Sequence, residues 1–342
     1  MPTNLTPHNR NLNLKSQIVP TMMFLPPLRQ ALTAAAATSA VAFLFMDANP
    51  SLWVFDKFLA SPERFEKEFG GKRIWITGAS SGIGAELALQ LASCDAQVIL
   101  SGRSEERLQQ VASKCGGGSR TVVMNVDCSE EEMNEIVEQV GPVDCVILNA
   151  GIGQQLPATK TSRKETEELF RINALAPIHL TQTLLKQPKP PSQVVVTSSV
   201  GAKFGVPLSA SYAASKHATI GYFSSLAAEQ PHLKISLPCP GPVATPFFGT
   251  QLSKRERKME ASRCARLIIS TMLLGGETWI AQQPTLFFCY LNQYLPGVAN
   301  FCLQRALGPT RIALWEAGLN VYDPASIGKL RKLQKQEKDR NE

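Results

Sequence analysis

Tyr212, Lys216 and Ser199 are the residues of this chain whose types and spacing best suit proton transfer to an oxygen atom. Tyr212 and Lys216 are four positions apart, so they share one face if the segment is helical. A phenol ordinarily titrates near pH ~10, and a neighbouring ammonium lowers its pKa towards the working range. Ser199, thirteen residues upstream of Tyr212, could hydrogen-bond the same oxygen. This set predicts that a carbonyl group is protonated as hydride reaches its carbon.

A glycine-rich segment over 77–84 has the spacing G-x-x-x-G-x-G and lies between a short apolar run and an apolar-periodic stretch. Glycines at such a turn permit close approach of the backbone to a pyrophosphate, and the following helix offers free N–H groups. We therefore predict that this turn binds a dinucleotide. The residues assigned to it are Gly78, Ser80, Ser81, Gly82, Ile83 and Gly84.

The elements that must position these residues alternate in type from Lys72 onwards. Short apolar runs read as strands, and helix-like stretches such as 130–140 and 164–170 separate them. This alternation is typical of βαβ units. We predict an α/β fold with a doubly wound, Rossmann-like parallel sheet, in a single catalytic domain over 71–310. The predicted strands are 74–76, 98–100, 121–125, 143–148, 193–197 and 234–237.

Several motifs in this order resemble the short-chain dehydrogenase/reductase family over 72 to about 250. They are the glycine-rich turn, Leu148-Asn149-Ala150-Gly151, Arg171-Ile172-Asn173, Ser198-Ser199, Tyr212 with Lys216, and 240–245. The family usually has Asn where this chain has Leu148, which removes one amide that stabilises the sheet. A resemblance to one member of the family also includes the N-terminal apolar segment and the distal segments 215–218 and 262–284.

The resemblance implies roles for individual residues. Tyr212 would be the proton donor, Ser199 would hold the substrate oxygen, and Lys216 would assist Tyr212 and contact the nicotinamide ribose. Asn173 would bend its helix and hold a water that links Lys216 to solvent. Further implied cofactor contacts are Asp127 at the adenine, Thr245 at the nicotinamide amide, and Ser104, Asn149, Ala150, Gly151, Pro240, Gly241 and Val243.

The choice of cofactor depends on the end of the second predicted strand. NAD enzymes of the family place an acid there for the ribose 2′-hydroxyl. Here Gly102, twenty-four residues after Gly78, occupies that place and Arg103 follows. A guanidinium can bind a 2′-phosphate with two hydrogen bonds, whereas a carboxylate would repel it. The sequence therefore predicts NADP(H), with Ser104 beginning the next helix as its N-cap.

The N-terminal region divides into a basic segment 1–30, which has no acid, and an uncharged run of sixteen residues at 31–46. As a helix that run would be ~24 Å long, shorter than the ~30 Å hydrocarbon core of a bilayer. Three interpretations remain open: a membrane anchor, a transit peptide, and an alanine-rich surface helix. We adopt the anchor, followed by a linker over 47–70, and treat 311–342 as a C-terminal extension with a charged tail.

Composition argues against several other classes of function. The chain has 35 Lys and Arg against 28 Asp and Glu, and no basic block interleaved with aromatics, so nucleic-acid binding is not expected. Its eight cysteines are scattered without a C-x-x-C, and the four histidines do not pair with them at zinc-ligand spacing. We therefore expect neither a structural metal nor a disulfide framework.

The sequence predicts a membrane-anchored, NADP(H)-dependent carbonyl reductase or alcohol dehydrogenase for a lipophilic substrate. Aromatic residues follow the core motifs at Phe247, Phe248 and within 286–291, and they either line an apolar pocket or pack as core. The resemblance implies retinoid- or steroid-like substrates and the endoplasmic reticulum. Expected partners are that substrate, membrane lipid and, as an option, a second copy in a homodimer. Two alternatives stay open: a mitochondrial oxoacyl-thioester reductase and a non-catalytic dinucleotide-binding interaction protein.

Overall fold

The computed structural model describes residues 41–248, 258–321 and 323–341. The chain divides into two compact units, 1–44 and 45–342, of which the first is described only at 41–44, where it is helical. Most of the predicted anchor, 31–40, therefore lies outside the described residues. Within the ranges described, no helix is both long enough and apolar enough to cross a bilayer.

A parallel sheet of seven strands forms the centre of the described chain. Its order is β3-β2-β1-β4-β5-β6-β9, so the direction of strand addition reverses between β1 and β4. At such a reversal a crevice opens outside the carboxyl ends of the strands, where ligands bind. The predicted doubly wound α/β fold is confirmed. The strands are β1 (Arg73–Thr77), β2 (Gln97–Gly102), β3 (Arg120–Val123), β4 (Cys145–Leu148), β5 (Gln193–Val196), β6 (Lys234–Pro240) and β9 (Gly276–Ile280); β7 (Val243–Ala244) and β8 (Met259–Glu260) pair separately.

Helices cover both faces of this sheet. Because side chains alternate along a strand, Trp75 packs into the core on one face and its neighbours Ile74 and Ile76 pack into the core on the other. The helices are α1 (Pro50–Phe58), α2 (Pro62–Phe69), α3 (Gly82–Ala92), α4 (Glu105–Cys115), α5 (Glu130–Val140), α6 (Arg163–Phe170), α7 (Ala176–Leu185), α8 (Ala210–Glu229), α9 (Ala261–Leu274), α10 (Thr285–Tyr294), α11 (Pro296–Cys302), α12 (Gly308–Glu316) and α13 (Pro324–Asn341). Residues of α3, α4 and α9 join Ile74 and Ile76, whereas residues of α5, α7 and α8 join Trp75.

The segment 47–70 is not the linker that the sequence suggested. It contains α1 and α2, whose Leu52, Phe55, Phe65 and Phe69 are buried in the same core as α3 and α9. The two helices are only nine and eight residues long, so the apolar period of each is short and easily missed. The catalytic domain therefore begins before residue 50.

An ionic cluster centred on the buried Asp56 fixes this N-terminal part of the domain to α9. The Asp56 side chain is only 2% exposed and accepts hydrogen bonds from Arg263 Nη1 at 2.6 Å, Arg266 Nε at 3.0 Å and Ser270 Oγ at 3.1 Å. Arg263 also pairs with Asp47, at 2.8 Å between Nε and Oδ2. Removing one partner of such a buried pair commonly costs about 3–5 kcal/mol, since the remaining charge loses its compensation.

The C-terminal segment 311–342 also packs on the domain. Leu314 of α12 forms a small buried cluster with Val321, with Leu330 of α13 and with Leu208, which lies just before α8. The boundary predicted at residue 310 falls inside α12, and the charged tail predicted from the sequence is helical as far as residue 341. The extension therefore contributes to the region around the start of α8.

Candidate active site

A cavity of about 340 Å³ lies at the carboxyl edge of the sheet, beside the reversal between β1 and β4. It brings together most of the residues predicted from the sequence. Those that line it are Gly78, Ser80, Ser81, Gly82, Ile83, Arg103, Asn149, Ala150, Gly151, Ser199, Tyr212, Lys216, Pro240, Gly241, Val243 and Thr245. Gly84, Ser104, Asp127 and Asn173 are not among the lining residues.

The glycine-rich turn packs directly against the loop after β4. Gly78 has φ +68°, and a Cβ there would lie 2.8 Å from the Ala150 Cα. A Cβ at Gly84 would collide with the Gly78 carbonyl oxygen, so this glycine lies under the turn and allows it to form. Asn149 donates its side-chain amide to the Thr77 and Gly78 carbonyl oxygens at 3.3 and 3.4 Å. Asn149 thus ties β1 to β4 although Leu148 lacks the amide usual in the family.

The catalytic-type side chains come from β5, α8 and the loop that follows β5. Lys216 is buried, and its Nζ donates to the Thr197 carbonyl oxygen at 2.9 Å. Ser199 Oγ accepts from the Gly201 N–H at 3.0 Å and donates to the Pro240 carbonyl oxygen at 3.3 Å. Tyr212 lies one helical turn before Lys216 on α8 and lines the same cavity. The three groups therefore face one space, as the spacing predicted.

Asn173 lies in a π-helical turn, Arg171–Leu175, between α6 and α7. Its side chain pairs with the backbone of Ile152, through Oδ1 to the N–H and Nδ2 to the carbonyl oxygen, both at 2.9 Å. Its own carbonyl oxygen accepts from Thr219 Oγ1 at 3.1 Å. The helix distortion that the resemblance implied is present, and Asn173 supports the wall of the site from behind. Its role in a water relay stays a prediction.

Gln154 is a buried residue of the site that the sequence analysis missed. Its Oε1 accepts from the Tyr212 backbone N–H at 3.1 Å, and its Nε2 donates to Thr161 Oγ1 at 2.7 Å. Ser209 Oγ donates to its carbonyl oxygen at 3.0 Å. The first N–H groups of a helix have no partner within the helix, so Gln154 caps and positions the beginning of α8. No local pattern marks this role, because its partners are up to 58 residues away.

One end of the cavity is formed by the end of β2 and the loop after β3. Gly102, Arg103 and Ser80 line it together, and a Cβ at Gly102 would lie 3.5 Å from Ser80 Oγ. Ser104 instead caps α4, where its Oγ accepts from the Arg107 N–H at 3.4 Å. This confirms the predicted N-cap and leaves the predicted cofactor contact of Ser104 without support.

Asp127 also lies outside the cavity lining, and its adenine contact stays a prediction. Its carboxylate pairs with Arg171 Nε at 3.3 Å, which holds it towards α6 and the π-helical turn. Asn125 and Val126 line the cavity at this point instead. Asp127 therefore belongs to the loop that the motif identified and adjoins two residues that line the cavity.

The opposite end of the cavity has an apolar lining. Phe247 lies edge-on to the Tyr212 ring, with 6.1 Å between the centroids, and Phe204 and Val206 also line the space. Of the aromatic segment 286–291, Leu286 and Cys289 are buried, and Phe288 packs behind the lining against Phe204 at 6.1 Å. That segment therefore supports the pocket as core rather than lining it directly.

The residues present fit a bound dinucleotide. The glycine-rich turn after β1 offers the N–H groups of the first turn of α3 and glycines that leave room for phosphate. The cavity beside it is lined by residues from Arg103 at one end to Tyr212 at the other. Thr197 Oγ1 is buried and has no hydrogen-bond partner among the described residues. A buried hydroxyl of this kind is costly to leave unpaired, so a ligand hydroxyl or amide would complete it. Fold and site together define a dinucleotide-dependent oxidoreductase.

Comparison with known proteins agrees with this class. Over residues 72–256 the chain matches the family described as short chain dehydrogenase. It is 31% identical over 285 residues to Dehydrogenase/reductase SDR family member 7 of Homo sapiens, covering 75% of this chain and 84% of that protein. It is 36% identical over 195 residues to Retinol dehydrogenase 8 of Bos taurus, covering 54% and 62%. A short chain dehydrogenase of Shigella flexneri, solved in complex with NADP, aligns with TM-score 0.54 at 30% identity, covering 61% and 92%.

The chain belongs to the short-chain dehydrogenase family and is an oxidoreductase of that family. The expected resemblance to one member is also confirmed, since it corresponds to the match with Dehydrogenase/reductase SDR family member 7 over most of both chains. Family membership carries with it a nicotinamide dinucleotide as cofactor. The roles of individual residues follow from the geometry of this chain.

Burial lowers the pKa of Lys216 from its ordinary 10.5 to about 8, because the desolvated ammonium is disfavoured in the folded protein. Between pH 8 and 10.5 the unfolded state therefore binds more protons than the folded state, and the free energy of unfolding rises with pH. Lys216→Met removes this penalty. We therefore expect the free energy of unfolding of Lys216→Met, relative to that of wild type, to be higher at pH 7 than at pH 10. Denaturant unfolding of the cofactor-free protein measures the difference.

The exposed lysine Lys186 provides the control, since Lys186→Met removes the same formal charge from a solvated position. The lost hydrogen bond to Thr197 lowers the stability of Lys216→Met at every pH, so only the change with pH is informative. If the difference in free energy of unfolding between Lys216→Met and wild type is constant from pH 7 to 10, Lys216 is not both charged and buried in the folded protein.

Proposed function

We propose that the protein is an NADP(H)-dependent carbonyl reductase or alcohol dehydrogenase acting on a lipophilic substrate. The observation that carries this is a single cavity with Arg103 and the glycine-rich turn at one end and Ser199, Tyr212 and Lys216 at the other. A dinucleotide laid from Arg103 to Tyr212 would bring its nicotinamide to the groups that handle the carbonyl oxygen.

The chain's own residues handle the oxygen and its proton. When bound, the nicotinamide ring supplies or accepts hydride at the substrate carbon. The Tyr212 hydroxyl donates a proton to the carbonyl oxygen in reduction and accepts it in oxidation, and Ser199 Oγ hydrogen-bonds the same oxygen. The Lys216 ammonium stabilises the developing phenolate from its buried position one turn away on α8. Gln154 and Asn173 hold the helix and the wall that fix this arrangement.

NADP(H) is favoured over NAD(H) by the end of the cavity at β2. Gly102 provides no carboxylate there, and Ser80 Oγ lies beside it in the lining. Arg103 is exposed at the rim, where its guanidinium can bind two oxygens of a 2′-phosphate. The solved Shigella flexneri relative complexed with NADP supports the same choice.

A lipophilic substrate is favoured by Phe204, Val206 and Phe247, which form apolar walls around Tyr212. The similarity to Retinol dehydrogenase 8 supports a retinoid-like carbonyl or alcohol, and steroid-like compounds share its apolar rigid shape. An oxoacyl thioester would also present a carbonyl to Tyr212, and it remains the alternative substrate if the N-terminal segment directs the protein to mitochondria.

We further propose that the protein is anchored to the membrane of the endoplasmic reticulum through the uncharged run at 31–46. The domain itself begins within a few residues of this run, because Asp47 and Asp56 are already bound to Arg263 and Arg266. A chain that starts at Asp47 therefore keeps α1, α2 and the ion pairs with α9 while losing the proposed anchor.

Carbonate extraction tests the anchor. We expect the full chain to stay with the membrane pellet, because sixteen uncharged residues favour the bilayer, and a chain starting at Asp47 to be recovered in the supernatant with cofactor binding intact. A chain starting at Arg64, which lacks α1 and Asp56, is the control for damage to the domain and should aggregate. Full-length protein recovered wholly in the carbonate supernatant would refute the anchor.

Tyr212→Phe tests the proton transfer. The change keeps the ring and its contact with Phe247 and removes the hydroxyl to which we assign protonation of the substrate oxygen. General acid catalysis contributes about 10²–10⁴-fold, so kcat for retinal reduction should fall by at least about 10², while NADPH affinity, measured by fluorescence, stays nearly constant. Tyr222→Phe on the same helix is the matched control. Retention of more than a tenth of wild-type turnover would rule out this role for Tyr212.

Arg103→Asp tests the choice of cofactor. It replaces the guanidinium at the cavity rim with a carboxylate that repels a 2′-phosphate, so NADPH binding should weaken by about 2–4 kcal/mol. NADH lacks this phosphate and should lose far less. Arg107→Asp, on the exposed side of α4, makes the same change of charge outside the lining and should leave both affinities unchanged. Equal losses for NADPH and NADH would mean that Arg103 does not bind the phosphate.

A further inference from the structure

Helices α10 and α11 expose large apolar side chains to solvent. Phe287 and Tyr294 are seven residues apart, so they share one face of α10. Val298 and Phe301, three residues apart, likewise share one face of α11. Tyr294 is 73% exposed, Phe301 is 63% exposed, and Leu295 between the two helices is exposed as well. Single exposed apolar residues are ordinary, but this concentration within one short stretch of chain indicates a docking surface.

The other side of α10 packs on the domain. Leu286 is fully buried, and Phe288 packs on Phe204 of the cavity lining, with 6.1 Å between the ring centroids. Asn292 Nδ2 donates a hydrogen bond to the Lys203 carbonyl oxygen at 2.6 Å. One helix therefore supports the apolar cavity wall on one side and carries the exposed apolar residues on the other.

The composition of this region favours a lipid surface as the partner. From 278 to 315 the chain has no Asp or Glu, and its only charged residues are Arg305 and Arg311. Exposed aromatic rings on an uncharged helix face suit the depth of the lipid headgroups, and nearby arginines suit anionic lipid. A second copy of the chain suits this region less well, because a two-fold interface would bring two acid-free, cationic regions together.

The N-terminal end of the domain meets the same region. Asn49 lies three residues after the uncharged run at 31–46, and it exchanges two hydrogen bonds with the Trp279 backbone. Its N–H donates to the Trp279 carbonyl oxygen at 2.8 Å, and its Oδ1 accepts from the Trp279 N–H at 3.0 Å. The Trp279 ring lies edge-on to Tyr290 at 4.9 Å, and Tyr290 stacks on Tyr294 at 6.2 Å. The chain that follows the uncharged run is therefore connected through ring contacts to the exposed side of α10, which also favours lipid.

We propose that this exposed face docks into the interfacial region of a membrane that contains anionic lipid. Helices α10 and α11, of ten and seven residues, lie along the membrane surface with their apolar side chains about 5–10 Å into the boundary between headgroups and acyl chains. The inference goes beyond the proposed anchor, since an anchor at 31–46 alone would leave this face in water. The residues of this lipid-docking face are Phe287, Tyr294, Leu295, Val298 and Phe301.

Quenching by brominated lipid tests the lipid-docking face in the full chain. The protein is reconstituted in vesicles of phosphatidylcholine and phosphatidylserine, with or without bromine near the headgroup end of the acyl chains. Phe301→Trp places a reporter on the face, and its fluorescence, after subtraction of the wild-type signal, should fall by at least about half in the brominated vesicles. Val123→Trp is the matched control, because Val123 is also exposed and β3 lies at the opposite edge of the sheet from β9. Its fluorescence should stay nearly constant.

A charge placed on the face gives a second measure. Phe301→Glu, introduced into a chain that carries the reporter Tyr294→Trp, should reduce the quenching at least about twofold, because a carboxylate leaves the interface and is repelled by phosphatidylserine. Val123→Glu in the same background should leave the quenching unchanged. Both substituted positions are exposed, so the fold should tolerate either change.

Four outcomes would overturn the proposal. Equal quenching of the Phe301→Trp and Val123→Trp reporters would show that the face does not enter the interface, and failure of the full chain to bind the vesicles would refute docking and anchor together. Unquenched protein that sediments as a dimer, and that Phe301→Glu converts to a monomer, would assign the face to a second copy. A reporter shielded from both brominated lipid and acrylamide in water would show that another segment of the chain covers the face. Because carbonate extraction tests the anchor and no readout here needs turnover, failure of the lipid-docking face is distinguishable from failure of the anchor and of the proposed reaction.

Discussion

Burial of the Lys216 ammonium is the constraint on which the rest of the site depends. A charge without water must be held by fixed polar groups, and here the Thr197 carbonyl oxygen accepts from it at 2.9 Å. This contact aligns α8 with the end of β5 and so sets Tyr212 beside Ser199. Gly151 packs closely on the same group of side chains, since a Cβ there would lie 3.0 Å from Asn173 Oδ1 and 3.6 Å from Lys216 Nζ, and Asn173 would have to shift slightly to admit it.

Close packing also connects the glycine-rich turn after β1 to the side of the cavity that carries Asn173 and Lys216. Gly78 touches the backbone of Ala150, and Asn149 reaches back to the carbonyl oxygens of the turn. The loop after β4 therefore contacts the glycine-rich turn on one side and the Asn173–Lys216 region on the other. Because the sheet reverses its order at β1 and β4, this loop lies where the crevice opens. Binding and proton transfer thus share one rigid wall.

The sequence predicted the sheet and most of the residues that line the cavity because those signals are local: buried strands appear in the sequence as apolar runs, and the turns contain glycines. It missed α1 and α2 because each is only eight or nine residues long. It also could not show the ion pair between Asp127 and Arg171, and the adenine contact of Asp127 stays a prediction. Gln154 was missed because tertiary packing alone brings it to Tyr212. Such long-range contacts leave no pattern in neighbouring residues.

The ionic cluster around Asp56 connects the N-terminal helix α1 to α9, the helix that follows the strand pair β7–β8 beside the cavity. Arg263 binds Asp47 and Asp56 from the first turn of α9, and α9 directly follows β8, which pairs with β7 beside Pro242. Asp56 is buried and binds two arginines of α9, so the cluster holds α9 in one position and leaves little freedom at the point where the chain returns to the site.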